Sequence, residues 1–170
     1  MNDDVAVPYH MIMSHDQTHQ EIIFLDLYIK YTSKKASEEN GYYIALAGIN
    51  PVYEFRYDQD SNQVVFSTTF RYTIMKPCKG EILFGIVTEI NRRGIILKSG
   101  PIKNIFLSKK RMGDYEFSLC NEPMFLKVKA LPYMKRGTKV KFRVLNVEWF
   151  QSEEEFNIQA TIIGDYLGPI

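Results

Sequence analysis

The chain has 170 residues, of which 45% are hydrophobic and 14% aromatic, a composition that excludes a disordered polypeptide and allows one large domain or two small ones. No apolar run approaches the roughly 20 residues that span a bilayer. The leader MNDDVAVPYHMIMSHD is acidic and lacks the basic segment of a signal peptide.

The net charge of +1 hides an asymmetry. Residues 1–75 hold five Lys/Arg against ten Asp/Glu, whereas residues 76–170 hold sixteen against ten. A charge step at Lys76-Pro77 marks a domain boundary, giving domains 1–75 and 76–170. In the first domain, Val5-Ala6-Val7 before Pro8 reads as a short strand. Residues 16–40 read as a helix, with Thr18 and Glu21 at capping-box spacing. Ile22, Leu25, Ile29, Ser33 and Ala36 fall on its predicted inner face, with Ile23, Phe24 and Tyr28 widening it, and Gly41 suits a C′ position. Residues 42–49 read as a strand, and Asn50-Pro51 breaks it. Residues 52–57 alternate and predict a second strand. Asp58 to Asn62 supply a turn cluster, and residues 63–75 a third, longer strand. One long helix on a small antiparallel sheet makes an α+β unit.

The second domain is β-rich. Residues 82–87, 95–97 and 104–108 are apolar runs separated by Arg92-Arg93-Gly94 and Ser99-Gly100-Pro101, the pattern of strands joined by tight turns. Gly85 inside the first run predicts a bulge or barrel corner. Residues 139–147 alternate as a half-buried strand, and residues 156–163 predict the last strand of a small closed barrel. Residues 113–136 are poorly patterned and read as a long loop, a segment type that is usually functional or pinned by a partner. The closing GDYLGPI carries more apolar groups than a free tail needs.

Few residues point to chemistry. Cys78 and Cys120 lack metal-ligand spacing and read as free thiols of a reducing compartment. His10, His15 and His19 read as surface imidazoles rather than as metal ligands. Glu153-Glu154-Glu155 falls in a predicted hairpin turn and reads as a solubilising run. The sequence contains no G-x-S-x-G motif, no phosphate loop and no metal cluster. No enzyme activity, cofactor or metal is expected.

The G-x4-G-x-V spacing, R-G-I-I and the apolar run closed by Ser108 resemble an RNA-binding barrel of the S1 type, an OB-fold. Taken with the acidic α+β unit, the KPCKGE junction and the closing GDYLGPI, the chain resembles the seventh subunit of multisubunit RNA polymerases. KGEILFGIV, LKSGPIKNIFLS, MGDYEF and VEWFQSEEEF look most like the subunit-seven variants of plant RNA polymerases IV and V. The resemblance covers residues 22–170. It implies an α+β tip domain followed by an all-β OB-fold barrel of the S1 type. It also implies a heterodimer with a fourth-subunit homologue, a place on the polymerase core with its largest subunit, a nuclear location and no active site of its own.

The family's tip domain docks through the loop and strand after its first long strand, which maps here to Ile49, Asn50, Pro51, Val52, Tyr53, Glu54 and Phe55. Alternation leaves a competing reading, in which one face of Val52, Tyr53 and Phe55 fills the tip's own core. S1-type barrels stack RNA on aromatics of the second and third strands. Here Arg93 and Ile96 stand at two usual aromatic positions and Phe106 at a usual histidine. Arg93, Phe106 and Phe84 remain stacking candidates, with Lys98, Lys109, Lys110, Lys141 and Arg143 as basic partners for weakly bound nascent RNA. In the competing reading Phe84 and Phe106 are core residues and the cations a solvated face. The stalk reading places the protein in small-RNA-directed DNA methylation and gene silencing. RNA polymerase II is the alternative polymerase, and an independent S1-type RNA-binding protein the alternative class.

Overall fold

A computed structural model of the chain describes residues 2–13, 18–33, 36–50, 54–119, 122–127 and 133–170. The fold is mostly β, with a small helical part, and its contacts divide it into two compact units, Met1–Met75 and Lys76–Ile170. Among the described residues no helix is long and apolar enough to cross a membrane.

Unit 1 contains β1 (Asn2–Pro8), α1 (Tyr9–Met13), α2 (His19–Ser33), β2 (Ala36–Ser37), β3 (Gly41–Ile49), β4 (Phe55–Asp58) and β5 (Gln63–Met75). The strands form one antiparallel sheet centred on β5. The first half of β5 runs between β1 and β4, and its second half pairs with β3. Alternation along β5 buries Val64, Phe66, Thr68 and Phe70 on one side. Val5 and Val7 of β1 join them, and α2 closes the layer with Ile23, Leu27 and Tyr31. The helix starts as its sequence dictates. The Thr18 amide donates to Glu21 Oε2 at 2.8 Å, and the Glu21 amide donates to Thr18 Oγ1 at 3.4 Å.

Several expectations need correction here. Strand β1 is longer than Val5-Ala6-Val7. The helix ends at Ser33, not near Asn40. Ala36 and Ser37 leave it to pair with Tyr42 and Gly41, which buries Ala36 and Tyr42. Gly41, at φ +81°, therefore opens β3 instead of capping a helix. The inner face of α2 is Ile23, Leu27 and Tyr31; Ile23 lies on the expected face, whereas Leu25 and Ile29 are 50% and 59% exposed and Phe24 and Tyr28 are exposed too. Apolar residues surround this helix, so spacing alone permits more than one stripe. The sheet selects the stripe carrying Tyr31, whose hydroxyl donates to Asp3 Oδ2 at 3.1 Å. The strand expected over 52–57 is β4, which starts at Phe55 and is exposed throughout. Pro51, Val52 and Tyr53 lie outside the described residues, as do the expected helix start at Asp16 and also His15 and Cys120.

Unit 2 contains β6 (Ile82–Asn91), β7 (Gly94–Ser99), β8 (Ile102–Ser108), a 3-10 turn at Lys109–Arg111, β9 (Tyr115–Leu119), β10 (Pro123–Lys127), β11 (Lys139–Phe150), β12 (Glu155–Thr161) and β13 (Gly168–Pro169). Strands pair in the order β6-β7-β8-β12-β11, and β11 returns to β6. The sheet is thus a closed five-stranded barrel, with β8 and β12 parallel and the remaining pairs antiparallel. Period-two alternation fills its interior with Val87, Leu97, Ile105, Leu107, Phe142 and Ile158.

The bulge expected at Gly85 is elsewhere. The ladder runs regularly through Gly85, opposite Val140, and shifts between Val87 and Glu89. Gly85 instead makes room. A Cβ there would lie 3.0 Å from the Phe142 ring and 3.1 Å from the Lys98 carbonyl oxygen. The long loop expected over 113–136 is in part a hairpin of β9 and β10. Tyr115 and Phe125 are buried, and Phe125 and Met134 exchange backbone hydrogen bonds at 2.9 and 2.8 Å. The acidic run also divides. Glu155 is buried in β12 and accepts a bond from Asn104 Nδ2 at 2.8 Å, so it is not a solubilising residue. At the end of the chain β13 pairs with β11, and the Ile170 amide donates to the Lys139 carbonyl.

Candidate functional site

Two places collect the residues singled out by sequence. In unit 1 they sit where the sheet is interrupted. β3 and β4 follow each other along the edge of β5 opposite β1. Ile49 pairs with Phe70, and pairing resumes with Phe55 opposite Phe66. Positions 67–69 of β5 therefore lie between the two pairings. Just after β3 ends, the Asn50 amide donates to the Thr69 carbonyl at 2.9 Å. Ile49 is half-buried, Asn50 and Glu54 are exposed, and Phe55 is 70% exposed with its ring 6.1 Å from that of Phe66.

A cleft of about 680 Å³ opens here, lined by Asn2, Asp3, Asp4, Asn50, Glu54, Ser67, Thr68 and Thr69. Two of its three acids are tied into the fold. Asp4 accepts from Arg56 at 3.1 Å and from Ser67 at 2.8 Å. Asp3 meets the Lys30 ammonium at 2.6 Å. Burial raises the Asp3 pKa, but bonds from Lys30 and Tyr31 outweigh it and hold the carboxyl below its ordinary value.

In unit 2 the eight RNA-binding candidates divide between two regions of the barrel. Phe84 is 60% exposed on β6, opposite Lys141 of β11, whose ammonium stands 5.8 Å from the ring centroid. Arg143 is one outward step along β11, opposite Ile82, and Lys98 of β7 stands opposite Ile86. These four candidates share one outward face. Arg93, Phe106, Lys109 and Lys110 gather where β7 begins and β8 ends. The Lys109 amide donates to the Arg93 carbonyl at 2.9 Å, and the Phe106 ring lies against Gly94.

The second region is less suited to a polyanion. Phe106 lines a cleft of about 310 Å³ with Ile96, Asn104, Glu148, Asn157, Ile158 and Gln159. That cleft holds a carboxylate and neutral amides but no cation. Lys109 is engaged by Glu116 at 2.6 Å, while Arg93 and Lys110 are exposed. Sequence reasoning omitted three residues of the first region, Ile82, Ile86 and Lys139. The signal was present as period-two spacing through Ile82, Phe84 and Ile86, but the run reads equally well as core. Among the described residues no group of His, Cys, Asp or Glu could hold a metal ion. Cys78 is an exposed free thiol.

No model of a protein family matches the chain. Individual relatives do. The chain is 33% identical to DNA-directed RNA polymerase V subunit 7 of Arabidopsis thaliana over 148 residues, covering 87% of this chain and 83% of the relative. It is 34% identical to RNA polymerase IV subunit 7 of the same plant, covering 88% and 86%. The chain belongs to the subunit 7 family of DNA-directed RNA polymerases. A more distant member, RNA polymerase II subunit RPB7 of Glycine max, is 27% identical, covering 79% of this chain and 75% of the relative. The matches to the polymerase V and IV subunits are long enough that each must extend into both units. The candidate docking residues and the candidate RNA face therefore belong to one subunit 7 chain.

Proposed function

We propose that this chain is a non-catalytic stalk subunit of a nuclear DNA-directed RNA polymerase, of the polymerase IV or V kind that acts in gene silencing. The observation that carries this reading is the 33–34% identity to polymerase V and IV subunits 7, against 27% to a polymerase II subunit. In this reading residues 1–75 are the tip domain. Residues 49–55 dock on the polymerase core, with exposed Phe55 as an apolar anchor. Residues 76–170 are an S1-type OB-fold barrel, for which the order β6-β7-β8-β12-β11 and the parallel β8–β12 pair speak. The barrel faces nascent RNA, and a fourth-subunit homologue completes the stalk.

Affinity purification of the tagged chain from nuclei, followed by mass spectrometry of what survives high salt, tests the assignment. Co-purification of polymerase largest subunits with a fourth-subunit homologue is the expected result, and the largest subunit present names the polymerase. A polymerase II largest subunit would move the chain to that enzyme. A folded, solitary chain that binds single-stranded RNA would replace the stalk with an independent RNA-binding protein.

A further inference from the structure

The outward side of β6 breaks the usual rule for a barrel strand. Its inward positions, Leu83, Gly85 and Val87, already serve the core, so polar residues are expected outside. Ile82, Phe84 and Ile86 stand there instead, 42%, 60% and 47% exposed. Successive outward positions are two residues apart, so this apolar row is about 13 Å long. Cations border it on both sides. On β11, Arg143 pairs with Ile82, Lys141 with Phe84 and Lys139 with Ile86, while Lys98 of β7 pairs with Ile86 from the other side. Paired residues of adjacent strands sit roughly 5 Å apart, within reach of one bound chain. None of the four cations makes an ion pair among the described residues.

We propose that this strip is the track for single-stranded RNA. Phe84 stacks a base, Ile82 and Ile86 cover the neighbouring ribose and base faces, and Lys98, Lys139, Lys141 and Arg143 hold phosphates. The proposal rests on the reading of the barrel as an RNA-facing module. It keeps Phe84, Lys98, Lys141 and Arg143 of the eight candidates and moves base stacking from β7 and β8 to β6. Charge decides between the two faces. The strip has four cations without an ion pair among the described residues and no carboxylate among its seven residues, whereas the second region has exposed Arg93 and Lys110, a Lys109 engaged by Glu116, and beside Phe106 a cleft that contains Glu148 and no cation. Duplex is excluded because Phe84 needs an exposed base face. The strip's side chains offer a ring, two alkyl groups and charges, none of which reads a base edge, so binding tolerates any sequence.

Fluorescence anisotropy with a labelled, mixed-sequence RNA of about 16 nucleotides, titrated with the full chain, tests the proposal. Four phosphate contacts give a log–log salt slope of roughly −3, or about 50-fold weaker binding at 200 mM than at 50 mM salt. Phe84→Ala is expected to weaken binding roughly tenfold. The triple variant Lys139→Ala, Lys141→Ala and Arg143→Ala is expected to flatten the slope by about 2. Arg93→Ala and Phe106→Ala are expected to leave affinity within a factor of about two. Unchanged melting temperatures establish that each variant is folded.

If Arg93→Ala and Phe106→Ala abolish binding and Phe84→Ala does not, the track lies on β7 and β8. The strip assignment then fails, and the barrel's RNA role survives. If the unaltered chain binds no RNA even at low salt, both fail. If the strip variants keep RNA affinity but lose binding to a purified fourth-subunit homologue, the strip is a protein interface and the proposal is overturned.

Discussion

Asp3 links the first strand to the helix above it through Lys30 and Tyr31, and its ionisation is coupled to folding. Its pKa is held below the ordinary 3.8. The contribution is therefore complete above 3.8 and is lost as pH falls through the depressed folded value. Tyr31 is the mirror case. Burial, and then its bond to Asp3, push the phenol up to about 12, so its contribution is complete below 10.0 and is lost as pH rises through about 12. Urea midpoints measured against pH should fall in acid for the unaltered chain and flatten there for Asp3→Asn. A second residue-scale test concerns Gly94. A Cβ at Gly94 would lie 2.3 Å from the Leu107 carbonyl oxygen and 3.0 Å from the Phe106 ring. Gly94→Ala should destabilise the barrel by about 3 kcal/mol in urea unfolding. Such packing was not legible in the sequence. Arg-Arg-Gly announced a turn, but the contact that forbids a methyl group comes from a strand more than ten residues later.

At the scale of elements, local chemistry was legible and selection by tertiary structure was not. The Thr18–Glu21 capping box reads directly from four consecutive residues and forms as expected. Thr18→Ala should cost about 1 kcal/mol, seen as a lower urea midpoint for unit 1. The buried face of α2 did not read directly, because β1 and β5 chose among several apolar stripes. Leu27→Ala is expected to cost about 2–5 kcal/mol, and Leu25→Ala well under 1, which reverses the order given by helical spacing alone. The β9–β10 hairpin escaped detection for a different reason. Its strands are five residues long, too short for alternation to stand out, and Phe125 is sealed by Met134 from beyond the hairpin. The strands of the barrel read well because Gly and Pro punctuate them. The candidate RNA residues were found one by one, but only the register shows that they occupy two faces.

At the scale of the molecule, contacts separate residues 1–75 from 76–170, and charge divides at the same place. A fragment of residues 76–170 is expected to unfold cooperatively by circular dichroism, because its core and its closed ladder come from its own strands. The way the ladder closes has a genetic consequence. Asn104 of β8 pairs with Asn157 of β12, and β12 alone joins β8 to β11. A stop codon just before Glu155 would spare every strand from β1 to β11. It would also leave β8 and β11 as bare edges of an open sheet, prone to pairing with other chains. Late truncating alleles should therefore behave as nulls, while in-frame changes of length within 50–54, whose flanks pair independently with β5, should be tolerated by the fold.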